Sequence, residues 1–185
     1  METANYARTA LGYDAVIFIP SKSDYIRIDQ GKDFAFSEAQ RLKMLRQIAE
    51  DHPWMIVSDH ELKQDHQPRT YETLCDLKEE GYQVKLLFGS DKLCELQHGW
   101  LHIPELCREF GIAVMEREHE DIEQMIHDDP YLSSLKQFIT IIHTPDTWQD
   151  ISSSKVRKAL LNHDLSSVMN MIPEELDDLY TYMEK

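Results

Sequence analysis

The chain has 185 residues, 42% hydrophobic and 29% charged, and its 34 acidic against 19 Lys and Arg side chains give a formal net charge of -15. That length fits a single globular domain, 1–185, with room for a sizeable core, and the acidic surface disfavours nucleic acid and anionic membranes as partners. Three scattered cysteines (Cys75, Cys94 and Cys107) make no disulfide framework, no apolar run nears the ~20 residues of a membrane span, and no secretory leader opens the chain, so a cytoplasmic setting is expected.

Glu2 to Leu11 reads as a helix leading into Ala15-Val16-Ile17-Phe18-Ile19, a β-branched run closed by Pro20 and patterned as a strand buried on both faces. Ser37 is placed to cap a helix whose apolar positions, Leu42, Leu45, Ile48 and Ala49, keep helical spacing and stop before Pro53. Trp54-Met55-Ile56-Val57 is a second strand. Thr70 or Thr73 opens a helix through Leu74 and Leu77 that Gly81 stops. A third strand over 84–88 ends at Gly89, a helix over 104–110 is stopped by Gly111, and a fourth strand covers 112–115. An acidic amphipathic stretch, 116–129, precedes a fifth strand over 138–142. A loop through Pro145 then leads to Ser152 and two C-terminal helical stretches. Strand alternating with helix predicts an α/β fold with a parallel sheet. Such a domain normally begins with a strand. Here the first element is a helix, as if the leading strand of a βαβ unit were missing.

In an open parallel sheet, ligands bind beyond the carboxyl ends of the strands. Two segments fall there. In Phe88-Gly89-Ser90-Asp91-Lys92-Leu93, Gly89 lets a ligand approach the backbone, and Asp91 either accepts from a ribose hydroxyl or caps the next helix. In Ile151-Ser152-Ser153-Ser154-Lys155-Val156-Arg157-Lys158, three hydroxyls stand at a helix start, where free amides and the positive dipole end attract anions. Arg157 follows Ser153 by one turn and can bring a guanidinium to such an anion. The segment reads as a phosphate cradle or as a plain serine cap with a solvated basic face. Trp100 packs in the core or stacks on a planar ring.

Nine histidines raise the question of a metal, but there is no His-Glu-x-x-His run. His98 and His102 lie one helical turn apart, and His60 and His66 fall in a polar loop, without a third ligand at sensible spacing. No metal site is expected. Without a Gly-x-Ser-x-Gly elbow, and with each cysteine at helical apolar spacing, no nucleophile is expected either.

Together these segments resemble the nicotinate-nucleotide and nicotinamide-nucleotide adenylyltransferases of the wider nucleotidyltransferase superfamily. Residues 151–157 match the family's Ile-Ser-Ser-Thr/Ser-x-Ile/Val-Arg signature, and 88–93 match Gly-x-Asp-x-Leu after a strand. Gln40-Arg41-Leu42-Lys43-Met44-Leu45 matches a Glu-Arg-Leu-x-Met-Leu helix. Val57-Ser58-Asp59 with Pro68, Thr70, Thr73 and Leu74 resembles the lead into a Tyr-Thr-x-x-Thr-Leu helix, with Arg69 in place of Tyr. Trp100 stands where the family has a pocket tryptophan, and Met171-Ile172-Pro173-Glu174 resembles its closing helix.

The resemblance implies a Rossmann-like fold with helices on both faces of the sheet. It implies adenylyl transfer from ATP to a pyridine mononucleotide in NAD biosynthesis. It assigns ATP to Gly89, Asp91, Ser152, Ser153, Ser154 and Arg157, and the mononucleotide to Thr70, Trp100 and Lys22. Magnesium would accompany ATP. The family's Gly-rich strand end and His-x-Gly-His motif, which precede the first helix, do not occur in these 185 residues. The expectation is therefore an N-terminally shortened domain, without catalytic histidines and with impaired turnover. The Pro-Pro-His-Lys run of many relatives is replaced by Pro20-Ser21-Lys22-Ser23-Asp24. Two rival readings stand beside this one. They are a transferase with another phosphate acceptor, such as phosphopantetheine, and a non-catalytic nucleotide-binding protein; a homo-oligomer is compatible with all three.

Overall fold

The computed structural model describes residues 1–29, 36–98, 100–117, 120–149, 151–176 and 179–182. Helix α1 (Glu2–Leu11) leads to strand β1 (Val16–Phe18), a π-helical turn at Tyr25–Asp29, α2 (Glu38–Ala49) and β2 (Met55–Val57). Then come α3 (His60–Lys63), α4 (Thr70–Glu79), β3 (Leu86–Gly89), a 3-10 segment at Ser90–Glu95, α5 (Ile103–Glu109) and β4 (Ile112–Met115). The chain continues through α6 (Ile122–Asp128), α7 (Pro130–Leu135), β5 (Ile139–Ile142), α8 (Asp146–Gln149) and α9 (Ser153–Leu161). This is the expected alternation of strand and helix, and every strand pairing is parallel.

The residues group into two compact units, one of Met1–Gln67 with Ile151–Lys185, the other of Pro68–Asp150. In the first, β1 and β2 pair from Val16↔Met55 to Phe18↔Val57. Met44 and Ile48, one turn apart on α2, pack with Met55, Leu160, Leu176, Leu179 and Tyr182. Serine at position 37 sets the start of α2. Its Oγ accepts the Gln40 N–H at 3.3 Å, and Gln40 Oε1 accepts the Ser37 N–H at 2.7 Å, closing a capping box.

In the second unit the ladder runs β3-β4-β5, with Leu86↔Ile112 and Ile112↔Ile139 in register. The middle strand β4 is apolar throughout because both faces are covered: Ile112, Ala113 and Val114 are each 0% exposed. Ile103, Leu106 and Cys107 of α5, Ile122 and Ile126 of α6, and Leu132 and Leu135 of α7 complete this core. Emptying such a position, as in Ile112→Ala, costs about 2–5 kcal/mol.

Some boundaries differ from the sequence reading, each for a local reason. Gly81 and Gly111 stop their helices as expected, at φ 98° and 70°, where a side chain is strained. Thr70 opens α4, as expected. The cap is Arg69, whose N–H goes to Glu72 Oε2 at 2.7 Å, and Thr70 is the first helical residue. Pairing of β3 starts at Leu86, where its N–H reaches the Gly111 carbonyl at 3.3 Å, which leaves Val84 and Lys85 outside. Phe138 belongs to a 3-10 turn, Lys136–Phe138, ahead of β5. His60 lies on the short helix α3, not in a loop, and the segment after Pro145 contains α8. The C-terminal helical stretches are α9 and then 3-10 segments at Leu165–Met171 and Leu179–Tyr182. No helix among the described residues is long and apolar enough to cross a membrane.

Candidate functional site

In the first unit, the Ser152–Arg157 segment opens α9. Ser152 is the N-cap residue, yet its side chain makes no capping hydrogen bond, and no acidic residue sits in the first turn. The positive end of the helix is therefore not offset from within. Arg157 reaches back one turn: Nη1 donates to Ser153 Oγ at 3.3 Å and Nη2 to Ser154 Oγ at 2.9 Å. Hydroxyls can orient a guanidinium but cannot neutralise it, so its charge remains available to an anion. The plain reading of a serine side-chain cap does not describe this helix start.

Ser152, Ser153 and Arg157 line a cavity of about 360 Å³ together with Arg41 of α2 and apolar side chains that include Phe36, Val156 and Ile172. None of the described residues lining it is acidic, in a chain whose net charge is -15. A lining of two arginines and two serines among mostly apolar side chains suits an anionic group carried on a less polar body. Arg41 was visible in the sequence only as part of a helix motif. Its place in the cavity depends on tertiary structure, and burial lowers its pKa below the usual arginine value, while the Glu38 carboxylate raises it.

Lys22, expected to serve the mononucleotide phosphate, is held by its own unit. Its N–H donates to Gln67 Oε1 at 2.7 Å and its Nζ to the Leu62 carbonyl at 3.1 Å. Gln67 Nε2 in turn donates to the buried Glu61 at 2.5 Å. The ammonium has spent one of its three donors, and the remaining two are enough for an oxyanion.

In the second unit, Gly89 ends β3 and Asp91 lies two residues beyond. The reason for glycine is steric. A Cβ at position 89 would fall onto Arg117 Cδ and 2.5 Å from Asp91 Oδ1. The close approach that Gly89 permits is thus made by Arg117, whose Nη1 meets Asp91 Oδ1 at 3.2 Å. Asp91 forms this ion pair and is not the cap of the 3-10 segment, which begins after Gly89 without a side-chain cap. Ser90, 0% exposed, donates to Glu120 and accepts the Arg117 N–H at 3.1 Å, which fixes the chain after β4 over the end of β3.

Trp100 is half-buried, its ring 6.0 Å from that of Phe88, and it packs on the edge of the core. The arrangement is the core packing the sequence offered for Trp100, with part of the indole left exposed. From α4, Tyr71 OH donates to Glu109 Oε2 at 2.9 Å and Lys78 Nζ to Glu109 Oε1 at 2.7 Å. These donors hold the Glu109 carboxyl below its usual range, and the Glu109 hydrogen bond, with burial next, pushes the Tyr71 phenol up to about 12. Cys94 is exposed, Cys75 half-buried and Cys107 buried, with burial pushing the Cys107 thiol up to about 11. No group of three or more His, Cys, Asp or Glu among the described residues is arranged to hold a metal ion.

Comparison with known proteins gives a consistent picture. A family model described as cytidylyltransferase-like matches residues 1–159. A probable nicotinate-nucleotide adenylyltransferase of Dehalococcoides mccartyi is 32% identical over 165 residues, 86% of this chain and 76% of the relative. One from Caldicellulosiruptor bescii is 27% identical over 175 residues, 95% of this chain and 85% of its own. A nicotinamide/nicotinic acid mononucleotide adenylyltransferase of Arabidopsis thaliana is 30% identical over 138 residues, 67% of this chain and 58% of its own.

Proposed function

This chain is a nucleotidyltransferase of the cytidylyltransferase-like family, and from that premise we propose that it transfers an adenylyl group from ATP to nicotinate or nicotinamide mononucleotide. The mononucleotide's phosphate oxygen attacks the α-phosphorus of ATP. A P–O bond forms there, the bond to the β-phosphate oxygen breaks, and a dinucleotide and pyrophosphate result. No covalent step is asked of the protein. Its work is alignment and stabilisation of phosphate charge, which suits a site of hydroxyls, amides and cations.

The observation that carries the reading is the cavity lined by Ser152, Ser153, Arg157 and Arg41, with no acidic side chain among its described lining residues. We assign the ATP phosphates to Ser152, Ser153, Ser154 and Arg157, and further ATP contacts to Gly89 and Asp91. Thr70, Trp100 and Lys22 are assigned to the mononucleotide. Asp91 would have to exchange its Arg117 partner for a ribose hydroxyl, an exposed pair that solvent already weakens. Magnesium would arrive with ATP, held by phosphates and water with at most one or two carboxylates, and would draw charge from the phosphates. The whole of 1–185 is taken as one nucleotidyltransferase domain working in the cytoplasm.

The test is a product assay with ATP and, in parallel, nicotinate mononucleotide, nicotinamide mononucleotide and phosphopantetheine, read by mass spectrometry. A pyridine dinucleotide with equimolar pyrophosphate is the expected result, at a low rate because no His-x-Gly-His occurs in these residues. Dephospho-coenzyme A alone would move the assignment to another acceptor. Tight ATP binding with no product from any acceptor would mark a non-catalytic nucleotide-binding protein.

A further inference from the structure

The loop after β1 is caught by two side chains from the first turns of α2. Glu38 Oε1 accepts the Ser23 N–H at 2.7 Å. Arg41 donates from Nη2 to the Ser21 carbonyl at 2.6 Å and to Ser23 Oγ at 3.3 Å, and from Nε to the Phe36 carbonyl at 3.0 Å. The capping box between Ser37 and Gln40 fixes the helix start, and with it the position from which Glu38 and Arg41 reach out. A three-residue loop is thereby held at the Ser21 carbonyl, the Ser23 N–H and the Ser23 hydroxyl. Lys22, in its middle, is held separately through Gln67 and Leu62.

This clamp uses one edge of the Arg41 guanidinium. An arginine carries five N–H donors in a rigid fork, and the three hydrogen bonds lie on the Nε and Nη2 side. Nη1 has no hydrogen bond or ion pair with the described residues. The same side chain lines the cavity beside Ser152, Ser153 and Arg157, and no carboxylate is among the described lining residues. Glu38, the acid nearest in sequence, is occupied with the Ser23 N–H. A half-buried cation with one edge spent on the loop and the other open suits an oxyanion more than it suits structure alone.

We propose that Arg41 is a second phosphate-binding residue of this cavity, its Nη1 end taking the nucleotide's phosphates with Arg157 while its Nε and Nη2 edge holds the loop that carries Lys22. The inference rests on the assignment of ATP phosphates to Ser152–Arg157 and extends it. It makes α2 a link between the two: binding an anion at Arg41 tightens the residue that positions the loop.

The experiment is a calorimetric titration of the 185-residue chain with ATP, inorganic tripolyphosphate and adenosine, in the parent, Arg41→Met, Arg41→Lys and Arg157→Ala. Arg41→Met should weaken ATP and tripolyphosphate roughly tenfold and leave adenosine unchanged, since the loss is of a charge-assisted contact to phosphate. Arg41→Lys should recover part of that loss, because a point charge can meet the anion or the loop but not both. Should Arg41→Met fail to fold by circular dichroism, Arg41→Lys carries the test, with a smaller loss for the two phosphate ligands and none for adenosine. Parent-like ATP affinity in Arg41→Met alongside weakened binding in Arg157→Ala would overturn the inference and leave the Ser152–Arg157 assignment standing. Equal losses for ATP and adenosine would also overturn it, reducing Arg41 to a structural clamp. Parent-like affinity in Arg157→Ala as well would remove both.

Discussion

Two arginines near the ends of two strand-and-helix motifs have opposite fates in this molecule. Arg117, beside Gly89, meets the Asp91 carboxylate at 3.2 Å, so its charge is balanced by the protein itself. Among the described residues Arg157 meets the hydroxyls of Ser153 and Ser154, at 3.3 and 2.9 Å, which orient its charge without balancing it. Around Gly89 the space is filled by side chains; beside Ser152 and Ser153 there is a cavity of about 360 Å³. The difference teaches that a motif's residue types do not by themselves make an anion site. What decides is whether the partner that orients the cation also neutralises it.

The sharpest way to break the closed region is Gly89→Ala. The added methyl collides with Arg117 Cδ and lies 2.5 Å from Asp91 Oδ1, although the backbone there is ordinary, at φ -83°. Overpacking of this kind costs about 1–3 kcal/mol, and urea unfolding of the two proteins measures it. A second substitution, Gly89→Ala with Arg117→Ala, should recover most of the loss. No loss in the single variant would show that Arg117 moves aside freely and that the region is not closed.

A smaller effect concerns the interior of the same unit. Burial raises the folded-state pKa of Cys107 from 9.0 to about 11, so the neutral thiol is favoured in the fold. Its contribution to stability is complete below pH 9 and is lost as pH rises through about 11. The melting temperature should therefore hold to pH 9 and then fall, and the Cys107→Ala variant should fall less over the same interval. At pH 8, iodoacetamide should label the exposed Cys94 first and leave Cys107 unlabelled until unfolding. Labelling of Cys107 in the native protein would contradict a dry core behind β4.

The smallest effect is expected from Asp91→Asn. The Arg117–Asp91 pair is exposed, with 31% and 47% of the two side chains open to solvent, so losing it should change stability by less than about 1 kcal/mol. Tripolyphosphate affinity at Arg117 should rise in that variant if balance by Asp91 is what keeps the anion away. An unchanged affinity would assign the difference between the two arginines to space and not to charge.

Much of the fold was legible because its signals are local. The run Ile112–Met115 is the strand its apolar residues predict, Ser37 caps α2 as its position offers, and Gly81 and Gly111 end helices where a positive φ is needed; the both-face burial expected of 15–19 is not found, since Val16–Phe18 is only partly buried. The Ser152–Arg157 segment was legible for the same reason, since one helical turn brings Arg157 to Ser153 and Ser154. What escaped depends on distant partners. Arg41 reaches Ser21 across 20 residues, and Arg117 reaches Asp91 across 26. Neither contact leaves a period or a spacing in the sequence. The 3-10 turn that removes Phe138 from β5 and the short helix carrying His60 escaped for a related reason, because such short elements follow from neighbouring packing more than from propensity.

The central claim is that Arg157 holds an unbalanced charge for the phosphates of ATP. A titration of ATP into the parent and Arg157→Ala, at low and high salt, tests it most directly. The account predicts roughly tenfold weaker binding in Arg157→Ala at low salt, with the gap narrowing as salt screens the lost charge. The unliganded melting temperatures should match within a few degrees, because the hydrogen bonds Arg157 makes are solvent-exposed. Equal ATP affinities at both salt concentrations would contradict the account and leave Ser152–Arg157 as the start of a helix.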